Sequence, residues 1–148
     1  MPEFLANKIK VWTSSNYINV PYNSWGYCDS NLRVTFSPST SGYYMVNCGF
    51  GTVWHWNPNW IICGLSNTAG SAPNVMSYET KQVQYPGGGN YHREQLHATF
   101  ICQFNANVLY TLNLAVKKLY NYTMKIYRGS PSSGNGYPDA YITVEGPL

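Results

Sequence analysis

An all-β fold, a two-sheet antiparallel β-sandwich of jelly-roll type with about eight to ten strands, follows from three observations. Apolar and polar residues alternate with period two from end to end, and no run keeps the 3.6-residue period of an amphipathic helix. Clusters of Gly, Pro, Asn and Ser interrupt the chain at short, regular spacings. Fourteen tyrosines and five tryptophans among 148 residues supply the bulky side chains that pleated surfaces favour.

Taken in order, Lys8–Thr13 opens as a strand and Tyr17–Val20 follows, stopped by Pro21. Leu32, Val34 and Phe36 then alternate with Arg33 and Thr35. In Gly42–Val53, Tyr44, Val46, Cys48 and Phe50 share one face, and Tyr43, Met45 and Asn47 the other. Asn59–Leu65 has the continuous apolar character of a strand buried on both sides, and Met76–Tyr85 forms a further strand. Leu96, Ala98, Phe100, Cys102 and Phe104 share a face, as do Val108, Tyr110, Leu112, Leu114 and Val116. The short Asn105-Ala106-Asn107 link between them predicts a hairpin. Tyr122, Met124 and Ile126, then Ala140, Ile142 and Val144, complete the set, with loops at Ser37–Ser41, Pro86–Asn90 and Gly129–Pro138. No internal repeat or composition shift divides the chain. The expectation is a short N-terminal arm over residues 1–7, with Phe4 and Leu5 as apolar anchors, and a single domain over 8–148.

Nine basic and six acidic residues leave a net charge of +3, too small and too scattered for a nucleic-acid binder, which concentrates Lys and Arg on one face. Charged residues make up 10% of the chain, against roughly 25% in an average soluble domain, so little electrostatic repulsion opposes self-association. No stretch approaches the roughly 20 apolar residues of a membrane-spanning helix, which predicts no membrane insertion. Met1–Lys8 has no basic region followed by an apolar core, so synthesis in a cytoplasm is expected. Cys28, Cys48, Cys63 and Cys102 have no metal-type spacing; buried thiols are favoured over one or two disulfides, and no metal or other cofactor is expected. Asn121-Tyr122-Thr123 matches a glycosylation acceptor, a match ascribed to chance.

The side chains that alternation turns away from the core are unusual. Tyr43, Met45, Ile101, Leu109, Tyr127 and Tyr141 all fall there, where a solitary sandwich carries charge and Thr. Either a loop or the N-terminal segment of the same chain folds over them, or identical copies pack on them; the second is the reading adopted. The segment Ser41-Gly42-Tyr43-Tyr44-Met45-Val46-Asn47, together with the last strand Ala140–Glu145, resembles the trimeric jelly rolls of tumour-necrosis-factor and complement-globular-head type. That resemblance, loosely spanning Leu32 to Val144, implies a homotrimer with its apolar last strand near the threefold axis. The stretch Pro21-Tyr22-Asn23-Ser24-Trp25-Gly26-Tyr27, with its Asn-rich turns, resembles small bacteriophage virion proteins, namely capsid decoration proteins and the heads of tail fibres.

Chemistry is sparse. The carboxylates are Glu3, Asp29, Glu79, Glu94, Asp139 and Glu145, and no two share a strand face as a glycosidase pair requires. His92 and Glu94 lie two apart on a strand, and His97 falls on the outward face as a hydrogen-bonding surface residue. Pro86–Asn90 lacks the Lys-Ser/Thr and the helix of a phosphate loop. The run Trp54-His55-Trp56-Asn57-Pro58-Asn59-Trp60 places three indoles among amides, either plugging the sandwich or meeting a partner or glycan. The expected function is therefore non-catalytic: a trimeric capsid decoration protein at the virion surface, bound to the major capsid protein or other virion subunits. The alternative is a receptor- or carbohydrate-binding head that recognises a cell-surface glycan through Trp54, Trp56 and Trp60.

Overall fold

The computed structural model describes residues 3–10, 17–29, 32–68, 70–83, 92–127 and 140–148, with residues 3–10 and His92 placed by backbone. Among them are eleven strands and no helix: β1 (Glu3–Lys10), β2 (Tyr17–Asn19), β3 (Gly26–Tyr27), β4 (Arg33–Phe36), β5 (Gly42–His55), β6 (Asn59–Ser66), β7 (Val75–Val83), β8 (His92–Phe104), β9 (Tyr110–Lys118), β10 (Met124–Tyr127) and β11 (Ala140–Gly146). The fold is the expected all-β sandwich. A six-stranded sheet runs β1-β11-β5-β10-β2 with β8 also on β5; a five-stranded sheet runs β3-β9-β6-β7 with β4 also on β9. Every strand pair in both sheets is antiparallel.

The six-stranded sheet is organised by β5. One side of this strand pairs with β8 along its whole length, from Gly42↔Phe104 to His55↔His92. Its other side is divided: β11 takes Met45–Gly49 and β10 takes Thr52–His55. The changeover falls at a bulge, where Gly51 adopts φ +96° and its missing Cβ would lie 2.6 Å from the Tyr127 carbonyl oxygen. Any side chain would be strained there on both counts.

Alternation places the core as expected. Tyr44, Val46 and Cys48 on β5, Leu96 to Phe104 at every second position on β8, and Leu112 and Leu114 on β9 are buried between the sheets. Each large side chain of this kind contributes about 1.5–3 kcal/mol by leaving water. At one end Phe104 packs edge-on against Phe36 (centroids 5.1 Å apart) and tilts against Tyr110 (4.6 Å).

Three expectations are revised. Phe104 and Tyr110 do not flank a hairpin, because β8 pairs with β5 in one sheet while β9 pairs with β6, β4 and β3 in the other. The Asn105–Asn107 link is a corner between sheets. Its N–H groups are held by Tyr110 Oη (2.8 Å), Ser41 Oγ (2.8 Å) and the Pro38 carbonyl (2.8 Å), and Asn107 turns through φ +63°. Val108, read as core, is exposed at that corner. Residues 3–7, read as part of an arm, run in backbone register with β11, Phe4 opposite Glu145 and Leu5 within the Phe4/Ala6 register shift. The anchoring role of the Phe4 and Leu5 side chains, residues 11–13 of the first predicted strand, and the Pro86–Asn90 and Gly129–Pro138 loops lie outside the described residues.

Candidate functional site

The outer face of the six-stranded sheet carries five of the six residues singled out for self-association, four of them clustered on β5, β8 and β11. Its rungs follow from the register: Tyr43 beside Gln103, Met45 between Ile101 and Glu145, Asn47 between Thr99 and Thr143, and Gly49 between His97 and Tyr141. Tyr43 is 57% exposed and Ile101 56%, with Met45 and Tyr141 half-buried. Thr99 donates to Asn47 Oδ1 (2.9 Å), and His97 Nδ1 lies 3.3 Å from the Tyr141 hydroxyl, so the polar members of the face bond to one another. Tyr141 lies over Gly49, where a Cβ would collide with its ring. From Gln95 to Phe104 the strand bears no formal charge. Here an apolar patch meets water, bordered by Gln103 beside Tyr43 and by Glu145 beside Met45.

The other two residues lie apart from this cluster. Leu109 is 71% exposed but belongs to the inter-sheet corner, off the sheet face, because the predicted hairpin does not exist. Tyr127 does face outward on β10, opposite Thr52, which is on the order of 20 Å along β5 from Met45 at the usual strand rise. It joins a separate aromatic row. Tyr127 pairs with Tyr17 (centroids 5.4 Å apart), and the Lys125 ammonium stands 4.1 Å from the Tyr17 ring and 4.8 Å from that of Trp54. Trp54 in turn meets Trp56 edge-on at 5.6 Å.

Beyond Trp54 and Trp56 opens a cleft of about 450 Å³, lined also by Asn57, Asn121, Tyr122 and Thr123. Two corners build it, residues 56–58 between β5 and β6 and residues 119–123 between β9 and β10. Asn59, buried at the start of β6, fastens the second: its Nδ2 donates to the Tyr120 carbonyl (3.0 Å) and its Oδ1 accepts from the Tyr120 N–H (3.1 Å). Lys118 Nζ donates to the Tyr122 carbonyl at 2.6 Å, and burial pushes the Lys118 pKa down. The His55 ring, also buried, lies with Nδ1 3.2 Å from the Asn57 carbonyl in the first corner. Trp60 does not join the cleft. The chain changes sheets at Pro58, and Trp60 sits on β6 opposite Gln82.

The five-stranded sheet treats its outer face differently. Ile62 and Gly64 point outward from β6, and Trp25 folds over them, its Cζ3 2.9 Å from where a Gly64 Cβ would lie. Tyr78 flanks the indole at 6.3 Å and the Lys117 ammonium stands 4.7 Å from its centre. Ile62 is left only 7% exposed.

The remaining candidates are dispersed. Glu94 falls on β8 opposite Val53 and His92 opposite His55, while the His92 side chain and Asp139 lie outside the described residues. Glu79 pairs with Lys81 at 2.9 Å. Among the described residues no three His, Cys, Asp or Glu side chains converge as metal ligands. All four cysteines are buried; burial raises the Cys48, Cys63 and Cys102 thiols, Cys63 to about 12. Tyr17, Lys125 and Trp25 were missed as surface-forming residues. Asn121 to Thr123 stood out only as a glycosylation pattern, since nothing local to that segment shows that it faces Trp54.

No protein-family model matches the chain, and no curated protein sequence matches it. Among solved structures it is similar to Eiger TNF from S. frugiperda, at a TM-score of 0.50 and 8% identity, over 99% of this chain and 94% of that one. At that identity the likeness concerns the fold alone: the chain has the jelly-roll architecture of a tumour-necrosis-factor-like head.

Proposed function

We propose that this chain is a non-catalytic structural protein of a virion, a capsid decoration protein that acts as a homotrimer. The observation that carries the reading is the Tyr43–Met45–Ile101 patch: apolar, contiguous across β5 and β8, and exposed to water in the single chain. Burying such a surface against sister chains is favourable at about 25 cal/mol per Å² before the costs of association, and a stable interface needs on the order of 800 Å² from each partner. A rigid trimer would then hold the shell at several points at once, so that modest contacts with major capsid subunits add up to firm attachment at the virion surface. The low charge content favours such packing.

Light scattering combined with capsid binding tests the proposal. The expected mass is about 50 kDa, three chains of 16.7 kDa, and addition to purified capsids raises their melting temperature. The double variant Met45→Asp, Ile101→Asp is expected to run as a folded single chain and to lose capsid attachment. A wild-type protein that stays monomeric at tens of micromolar, or a trimer that neither binds nor stabilises capsids, contradicts it.

A further inference from the structure

We infer that the cleft between the Trp56–Asn57 corner and residues 119–123 binds a neutral saccharide, an activity beyond the proposed assembly role and independent of its interface. The lining combines the two kinds of surface a sugar ring presents. Trp54 and Trp56 meet edge-on, so that one indole offers a face while the other forms a wall at an angle to it. A pyranose has C–H groups with slight positive charge on its flat sides, which suit the electron-rich face of an indole. Around its rim are hydroxyls that both donate and accept. Asn57, Asn121 and Thr123 supply amides and a hydroxyl able to do the same, and among the described residues their side chains make no hydrogen bond.

Size and charge narrow the ligand. A cleft of about 450 Å³ falls within the usual range for small-molecule sites and suits a mono- or disaccharide. No charged side chain lines it. The two cations beside it are both engaged: Lys125 lies between the Tyr17 and Trp54 rings and pairs with their faces, and Lys118 is buried behind the lining with its ammonium on the Tyr122 carbonyl. A sialylated glycan or a nucleic-acid backbone would therefore find no counter-charge in the cleft, whereas a neutral ring gives up no ionic hydration on entering.

The cleft is held in shape before any ligand arrives. Both ends of the 119–123 corner are tied down, by Asn59 at Tyr120 and by Lys118 at Tyr122, and the antiparallel pairs Met124↔His55 and Lys125↔Trp54 lock the two corners together. Pre-organisation of this kind lowers the entropic cost of binding. Trp56 (46% exposed) and Tyr122 (51% exposed) nevertheless remain open to water, leaving apolar area for a ligand to cover.

The test is ligand-observed NMR together with tryptophan fluorescence on the full chain. The probes are the methyl glycosides of glucose, galactose, mannose and N-acetylglucosamine and their disaccharides, with sialyllactose and a short oligothymidine as charged controls. At least one neutral sugar is expected to bind saturably in the millimolar range. Trp56→Ala should weaken it at least tenfold. Asn121→Ala, a change at an exposed side chain that leaves folding alone, should weaken it several-fold, while the Met45→Asp, Ile101→Asp variant binds as the wild type does. Absence of saturable binding by every neutral sugar, binding confined to the charged controls, or affinity undiminished in both Trp56→Ala and Asn121→Ala would overturn the inference.

Discussion

The outer faces of the two sheets differ most at one pair of isoleucines: Ile62 on the five-stranded sheet is 7% exposed and Ile101 on the six-stranded sheet 56%. On the five-stranded sheet, Trp25 from the segment before β3 lies across Ile62 and Gly64, with Tyr78 and Lys117 closing in from either side. On the six-stranded sheet, Tyr43, Met45 and Ile101 have no such cover among the described residues, and only Gly49 is roofed, by Tyr141. The contrast teaches that the sandwich does cap an apolar outer face where its own chain reaches. The bare face is thus a selective exposure, set beside a covered one in the same molecule.

Five experiments break or sharpen that contrast. The largest effect of any single substitution belongs to the covered face: Trp25→Ala strips Ile62 and removes the Lys117 contact, and should cost about 2–3 kcal/mol in guanidinium unfolding. Next comes a control on the inner faces, which both sheets share. Cys48 and Cys102 lie under one sheet and Cys63 under the other, and burial moves the Cys63 thiol from 9.0 to about 12. A raised thiol pKa means that the folded chain keeps a proton the unfolded chain loses. Stability is therefore intact below pH 9 and falls as pH climbs from 9 towards 12, by up to about 1.4 kcal/mol per pH unit for each such group. Equilibrium unfolding against pH measures the slope, and native thiols should stay silent to a thiol reagent at pH 8 until the protein unfolds.

Smaller effects separate the two glycines. Gly64→Ala drives a methyl into Trp25 and Val75 and should cost about 1–2 kcal/mol, since the ring is flanked by Tyr78 and Lys117. Gly49→Ala displaces Tyr141 towards open solvent and should cost about 1 kcal/mol or less, with loss of its contact to His97 visible as a change in the histidine NMR signal. The smallest effect is Ile101→Ala in dilute, dissociated protein, within about 0.5 kcal/mol, because the side chain there packs on little. If Ile101→Ala instead costs as much as Trp25→Ala under those conditions, the face is covered by its own chain and the contrast fails.

Much of this was readable from residue order, and the misses share one physical cause. Period-two alternation reports which way a side chain points relative to its own strand, so Tyr44 and Tyr43, or Cys102 and Ile101, were assigned to the correct faces. It does not report which sheet the strand joins. A five-residue link reads alike whether it folds a strand back beside itself or carries it across the sandwich, and here the Asn105–Asn107 corner crosses because Ser41 and Pro38 supply acceptors for its N–H groups. Leu109 was misplaced for that reason. Trp60 was separated from Trp54 and Trp56 by the corresponding crossing at Pro58. The cleft brings residue 56 to residue 121, a juxtaposition made by strand pairing far from either, and only the aromatic half of it was visible locally.

The division of β5 between three partners has a bearing on how the molecule forms. Residues 42–55 complete their hydrogen bonding only when strands ending at 104, 127 and 146 have all arrived. Loop-closure entropy on this scale slows folding. A chain truncated before residue 140 would leave residues 45–49 of its central strand unpaired along one edge and offer that edge to a neighbour.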